Sequence, residues 1–231
     1  MRKRLLQVVG NIGVGKTTLA ERLAGRLKYQ VAFESVADNP YLRDFYADMN
    51  AWAFHLQVYF LLHRAEMHRA MATSPEGGIC DRSVYEGRYV FARAVHYLGH
   101  LSERDYYIYS KLHQIIEEQL PSPDLLIHLE APAEVLLARI HARDRPFEQG
   151  ITLEYLQLLN RLYAEWLEAF DLCQVLVIQA DKFDLRVRSH LDAIVEAIER
   201  KLEGKELLHL SNTSNQRGPA ARPCACEGVL A

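Results

Sequence analysis

The sequence predicts an α/β fold, a five-stranded parallel sheet with helices on both faces, from three observations. The apolar run from Leu5 to Val9 breaks at Gly10 into a glycine-rich turn, and a helix-forming stretch follows at once. Short β-prone runs recur at Val31 to Phe33, Ile79 to Cys80, Asp124 to Leu129 and Val175 to Ile178, separated by segments whose apolar residues repeat at helical spacing. Such alternation lays successive strands parallel in a sheet covered on both sides and puts ligands at their carboxyl ends. With 231 residues, 49% of them hydrophobic, the chain can bury one sizeable core.

Taken in order, Thr18 to Ala24 continues the first helix, and the second strand ends at Glu34. Residues 35 to 40 read as a turn-rich connection, with Pro40 breaking the chain before Tyr41 to Tyr46. Trp52 to Met71 sustains a helical period, and its polar exceptions Gln57 and Arg64 lie seven residues apart, hence on one face. After Gly77-Gly78 the third strand runs into Asp81-Arg82-Ser83 and a helix from Val84 to Leu98. Ser102, with Asp105 three residues on, caps a helix reaching Leu120, where Pro121 stops it. Pro132 opens a helix from Ala133 to Ala142, at a position where proline is tolerated. Leu153 to Phe170 is helical again, and after the fifth strand a loop over residues 180 to 183 leads to a last helix, Asp184 to Leu202. From 204 to 231 the composition turns to Ser, Asn, Pro, Gly and Ala, which predicts a disordered tail behind a domain of residues 1 to 203.

Composition excludes several classes of function. A net charge of -3, with no basic stretch outweighing its acidic neighbours, argues against a nucleic-acid partner and favours small-molecule chemistry. No apolar segment approaches membrane-spanning length, and the run behind Met1-Arg2-Lys3-Arg4 is too short for a signal-peptide core. The four cysteines, Cys80, Cys173, Cys224 and Cys226, are placed for neither a disulfide framework nor a closed zinc site, so a reducing cytoplasm is the expected compartment.

Gly10-Asn11-Ile12-Gly13-Val14-Gly15-Lys16-Thr17 meets the phosphate-binding pattern G-x-x-x-x-G-K-[ST] in full, between a strand and a helix. Its glycines let backbone N–H groups curl round phosphate, the helix N-terminus adds partial positive charge, and Lys16 adds a full one. Thr17 would place its hydroxyl on Mg²⁺, while Thr18 continues into the helix. A glycine-rich turn that binds nothing explains neither Lys16 nor Thr17. The loop establishes a nucleoside triphosphate site without naming the reaction.

Three polar groups should converge beside the phosphates: Glu34, Asp81-Arg82, and the cluster Arg139, Arg143 and Arg145. Phosphoryl transfer needs cations near the γ-phosphate and one carboxylate to take a hydroxyl proton. The alternatives are a surface carboxylate for Glu34 and, for the arginines, a solvated helix face pairing with Glu134 and Glu148. Arg139 and Arg143 are like charges at i, i+4, which costs a little unless an anion lies between them.

Here the chain resembles the deoxynucleoside kinase family over nearly all of residues 5 to 202, on GNIGVGKTT, ESVADNPYLRDFY, WAFHLQVYFLLHR, DRSVYEGRYVFA, RIHARDRPFE and EYLQLLNRLYAEW. It looks most like the bacterial deoxyadenosine/deoxycytidine kinases. The resemblance implies a P-loop kinase fold and Mg²⁺-dependent transfer of the γ-phosphoryl group of ATP to a nucleoside 5′-hydroxyl. It implies Glu34 as the base, Arg82 near the accepting oxygen and the phosphates, and Asp81 helping to order Mg²⁺. Tyr46 and Glu148 would hold the 3′-hydroxyl, Gln57 would read the base edge with Arg64 beside it, and Phe91 would stack on the base. Arg139, Arg143 and Arg145 would form a lid, and Asp181, Lys182 and Phe183 would border the adenine of the donor.

Two positions depart from the family pattern. Gly87 stands where an aspartate usually pairs with the equivalent of Arg64, which leaves Arg64 without that partner and predicts a wider, purine-favouring pocket. Asp144 interrupts a lid usually written with glycine between its arginines. Judged alone, Gln57 and Arg64 could be a solvated stripe and Phe91 a core residue. Deoxyadenosine is the expected acceptor and deoxycytidine a weaker one, with deoxyguanosine the runner-up if Arg64 is free to donate. A thymidylate-kinase-like enzyme is disfavoured because Glu34 would repel an incoming phosphate, and a non-catalytic nucleotide-binding subunit because Lys16, Thr17, Glu34 and Arg82 are intact. The long helices with aromatic exposure predict a helix-packed homodimer.

Overall fold

In the computed structural model, residues 4–34, 39–145, 148–185 and 187–204 are described. The expected connection at 35–38, residues 146 and 147 of the arginine-rich segment, and the tail from 205 with Cys224 and Cys226 lie outside them. Strands β1 (Leu5–Gly10), β2 (Gln30–Phe33), β3 (Gly78–Asp81), β4 (Leu125–Glu130) and β5 (Gln174–Gln179) form one sheet in the order β2-β3-β1-β4-β5. Every pairing is parallel, as the strand–helix alternation predicts.

Strand alternation decides which side chains meet which helices. Leu6 and Val8 of β1 and Leu125, Ile127 and Leu129 of β4 enter one core. Helices α1 (Lys16–Leu27), α6 (Ala133–Arg143) and α8 (Arg188–Leu202) close that side with Leu19, Leu23, Leu136, Ile140, Ile194 and Ile198. Val9 and Leu126 point the other way, into a core with Leu61 of α3 (Met49–Ala72), Tyr109 of α5 (Glu103–Glu118), and Leu159, Tyr163 and Trp166 of α7 (Leu153–Ala169). Asp48 caps α3 by accepting from the Ala51 N–H, so that helix starts three residues earlier than its apolar period suggests. The Ser102 hydroxyl accepts from the Asp105 N–H, as the spacing predicts.

Other boundaries differ from expectation as well, three of them in ways that bear on the site or its supports. Asp124 precedes β4 rather than joining it, because its carboxylate accepts from the Leu5 N–H at 2.8 Å and pairs with Arg4 at 2.8 Å. The last helix begins at Arg188, not Asp184, since the Asp184 N–H is turned onto Nδ1 of His190 at 3.0 Å. The expected helix from Val84 to Leu98 is a π-helical turn over Gly87–Ala92 followed by α4 (Arg93–Tyr97). Its residues Gly87, Val90, Phe91, Ala92, Ala94 and Val95 are buried, and a short helix α2 (Leu42–Ala47) packs nearby against α3. Wide π turns of this kind recur where a helix has to present side chains to a site.

Candidate active site

At the end of β1 the backbone of Gly10 has φ +141°, and a Cβ there would sit 2.3 Å from the Leu129 carbonyl oxygen, so only glycine lets the loop leave the sheet beside β4. The Lys16 ammonium reaches back across the loop to the Asn11 carbonyl oxygen at 2.7 Å. Burial, and then the neighbouring Arg82 cation, pull its pKa down to about 7. An anion beside it is what would restore a full charge. The Asn11 amide donates to the Leu156 carbonyl at 2.9 Å and to Oδ1 of Asn160 at 2.8 Å, which ties the loop to α7.

Thr17 donates its hydroxyl proton to Oδ2 of Asp81 at 2.5 Å, while Oδ1 of Asp81 is buried with no partner among the described residues. Burial raises the Asp81 carboxyl pKa against the pull of Lys16 and Thr17. Two hard oxygen donors side by side fit a magnesium ion whose other ligands are phosphate oxygens and water. No cluster of three or more His, Cys, Asp or Glu residues suited to a metal exists among the described residues.

The register pairs Phe33 with Asp81, so Glu34 and Arg82 leave the sheet next to each other. Oε1 of Glu34 accepts from Nε of Arg64 at 2.6 Å, and its Oε2 lies 3.1 Å from Nε of Arg82. Burial alone would raise the Glu34 pKa, but the two guanidiniums outweigh it and hold the carboxyl below its usual range. Arg82 has φ +94°, a strained conformation for a residue with a side chain. Its guanidinium sits over the Phe91 ring at 4.7 Å and reaches Glu86 at 3.5 Å. Arg64 lies against both Phe60 and Phe91, at 5.0 and 5.4 Å.

These groups line a cavity of about 110 Å³ in which seven of the eight residues nominated from sequence for the acceptor meet: Glu34, Tyr46, Gln57, Arg64, Arg82, Phe91 and Glu148. Gln57 is buried with no hydrogen bond to another described residue, so it is not part of a solvated stripe. Burial, followed by Glu148, pushes the Tyr46 phenol up to about 12. The eighth nominee does not line the cavity. Gly87 lies behind Arg64, and the expectation of a wider pocket is corrected because the Tyr109 hydroxyl is 3.0 Å from where a Cβ at 87 would be. Nor is Arg64 left without an acidic partner, since Glu34 supplies one.

A second cavity of about 480 Å³ lies on the other side of the loop, lined by Gly13, Val14, Gly15, Thr18, Arg139, Asp181, Lys182 and Phe183. Ile12 lines the first cavity and Gly13 to Gly15 the second, so the phosphate loop is the partition between them. The three clustered arginines all have partners within the protein, and only Arg139 lines this cavity. Arg139 donates to the carbonyls of Val14 at 3.2 Å and Ala180 at 2.9 Å, a backbone role that neither reading of the cluster anticipates. Arg143 makes a two-pronged pair with Glu148 at 2.6 and 2.7 Å, and Arg145 lies 3.7 Å from the same carboxylate.

Sequence reasoning missed the brace beneath Arg82. The Tyr163 hydroxyl of α7 is 2.5 Å from Oε2 of Glu86 and 2.8 Å from the Gly10 carbonyl oxygen, linking the arginine's carboxylate partner to the loop. Glu86 at i+4 from Arg82 was a readable signal. Tyr163 and Asn160 were hidden in the apolar face of α7.

A phosphate loop dividing two cavities on a five-stranded parallel sheet defines a P-loop kinase fold. The family model described as "Deoxynucleoside kinase" matches residues 6–203, and the chain belongs to the deoxynucleoside kinase family. It is 36% identical over 186 residues to a deoxyadenosine/deoxycytidine kinase of Bacillus subtilis, covering 80% of this chain and 86% of that one. Identity is 42% over 163 residues to a deoxyadenosine kinase of Dictyostelium discoideum, covering 71% of this chain and 66% of that one. The structure of a deoxyadenosine kinase from M. mycoides with bound dATP superposes with a TM-score of 0.75 at 25% identity, over 84% of this chain and 99% of that one. The chain is thus an enzyme, a deoxynucleoside kinase. No helix among the described residues is long and apolar enough to cross a membrane.

Proposed function

We propose that the protein transfers the γ-phosphoryl group of ATP to the 5′-hydroxyl of a deoxynucleoside, with deoxyadenosine preferred, deoxycytidine weaker and thymidine poor. The observation that carries this reading is the loop-divided pair of cavities, one holding a carboxylate between two arginines and the other bounded by residues 181 to 183. The acceptor occupies the first, with its 5′-hydroxyl at Glu34. Because Arg64 and Arg82 keep Glu34 ionised, the carboxylate is ready to take the proton, while Arg82 lies where charge develops on the transferring group. Lys16 holds the phosphates, and Asp181 to Phe183 border the donor base. Thr17 and Asp81 would hold Mg²⁺, which would supply neutralisation of the triphosphate charge. Tyr46 and Glu148 hold the 3′-hydroxyl, with Arg143 and Arg145 steadying Glu148.

The Gln57 amide offers one donor and one acceptor side by side, which suits the N6/N7 edge of adenine and the N4/N3 edge of cytosine. Deoxyguanosine is the second reading, because Arg64 lines the cavity and its Nη2 makes no hydrogen bond to a described residue, which leaves a donor for O6. A deoxyguanosine kinase of Lactobacillus acidophilus is 38% identical over 183 residues. We further propose that residues 1 to 203 are the catalytic unit, that the enzyme works in the cytoplasm, and that it is a homodimer, which the exposed Leu62, Tyr97, Tyr107, Ile108 and Ile115 support. Sedimentation at the mass of one 26.5 kDa chain would contradict the dimer.

The test of the reaction is formation of a 5′-monophosphate from ATP, Mg²⁺ and each deoxynucleoside, with Lys16→Ala as control. Lys16→Ala is expected to stay folded and lose transfer, since this lysine serves phosphate rather than packing. Full turnover by that variant would overturn the reading.

A further inference from the structure

Gly87 has an ordinary backbone; it is absent from the glycines with positive φ, so its conformation does not demand glycine. Space does. A Cβ at 87 would lie 3.0 Å from the Tyr109 hydroxyl, 3.5 Å from Nη1 of Arg64 and 3.9 Å from the His113 ring. Tyr109 cannot easily withdraw, being 1% exposed in the core between α5 and the π-helical turn. Its neighbour His113 is also anchored, with Nε2 2.9 Å from the Val84 carbonyl oxygen. Arg64 is confined as well, by Glu34 at 2.6 Å and by the rings of Phe60 and Phe91. Its fourth side is the Gly87–Tyr109 wall.

We propose that Tyr109 is a specificity-determining positioning residue: its hydroxyl fills the notch over Gly87, excludes any side chain there and fixes how far the Arg64 guanidinium stands back from the acceptor base. The inference rests on the deoxynucleoside kinase reading of the cavity. Gly87 lies outside the cavity, and a methyl group there would already be in van der Waals contact with Nη1 of Arg64 at 3.5 Å, so a group that the Tyr109 hydroxyl forces off its 3.0 Å contact can shift only toward the guanidinium. The base end then narrows, and a purine loses more than a pyrimidine.

The test is a cycle of Gly87→Ala, Tyr109→Phe and the double variant in the full chain, read by melting temperature and by kcat/KM on deoxyadenosine and deoxycytidine. Gly→Ala within a helical segment ordinarily stabilises, so a lower melting temperature for Gly87→Ala reverses the usual sign and reports the clash. Gly87→Ala is expected to lower kcat/KM on deoxyadenosine by about fivefold or more and the deoxyadenosine-to-deoxycytidine ratio by about threefold. Adding Tyr109→Phe should bring both back to within about twofold of wild type, by removing the atom that the methyl group meets. If Gly87→Ala melts at or above wild type, or if Tyr109→Phe fails to rescue it, the notch is not filled as proposed. A rescued melting temperature with an unmoved acceptor ratio removes the role in specificity and leaves only packing. A wild-type enzyme that phosphorylates neither nucleoside overturns the functional reading and the specificity claim with it, while the melting pair still decides the steric one.

Discussion

At the scale of single residues, the proposed reaction puts its chemistry on Glu34, and the two arginines beside it set its charge. A buried carboxylate left alone would hold its proton; with Arg64 and Arg82 on its two oxygens it stays ionised. Glu34→Gln keeps the shape and part of the hydrogen bonding but cannot accept the proton. Its kcat is expected to fall by roughly 10² to 10⁴ with KM moved far less. A loss confined to KM would make Glu34 a binding group. The residue itself was legible in the sequence as a carboxylate at a strand end, and Gln57 and Arg64 as polar interruptions seven apart on one helix. The contact between Glu34 and Arg64 was not. That Arg64 belongs to Glu34 depends on how α3 crosses β2, a packing fact that no local spacing encodes. The same holds for Arg139, whose place in a basic cluster suggested anion binding while its guanidinium meets two backbone carbonyls.

At the scale of elements, strand alternation was readable and its exceptions carry the information. His128 of β4 stands among buried apolar residues at a position facing α7, its ring 5.2 Å from that of Tyr163. Burial, and then the Lys16 charge, lower its pKa from 6.5 to about 4. The folded pKa lies below the unfolded one, so protons favour the unfolded chain. Stability from this group is complete above pH 6.5 and is lost as pH falls toward 4, by up to about 3 kcal/mol. Urea unfolding at pH 7.5 and pH 5 should show a smaller acid loss in His128→Phe than in wild type. Equal losses would show that the histidine is not the titrating group. The π-helical turn was the element least legible in the sequence, because a 3.6 period fits its apolar residues as well as a wider one.

At the scale of the whole molecule, β1 stands at the centre of the sheet and delivers the phosphate loop between two cavities. The strands at either side of it divide the work. β2 and β3 bring Glu34 and Arg82 to the first cavity, while β5 ends at the loop of residues 181 to 183 beside the second. This order was not legible in the sequence, which predicts parallel strands but not which are neighbours. The motif nonetheless located the junction, since a phosphate loop follows a strand and opens a helix wherever that strand lies. The central claim is that the acceptor cavity takes a deoxynucleoside and selects its base through the Gln57 amide. Its most direct measurement is kcat/KM for the four deoxynucleosides with ATP and Mg²⁺. The expected order is deoxyadenosine first, deoxycytidine weaker and thymidine poor, each giving its 5′-monophosphate; a deoxyguanosine value well above that of deoxyadenosine would contradict selection by Gln57.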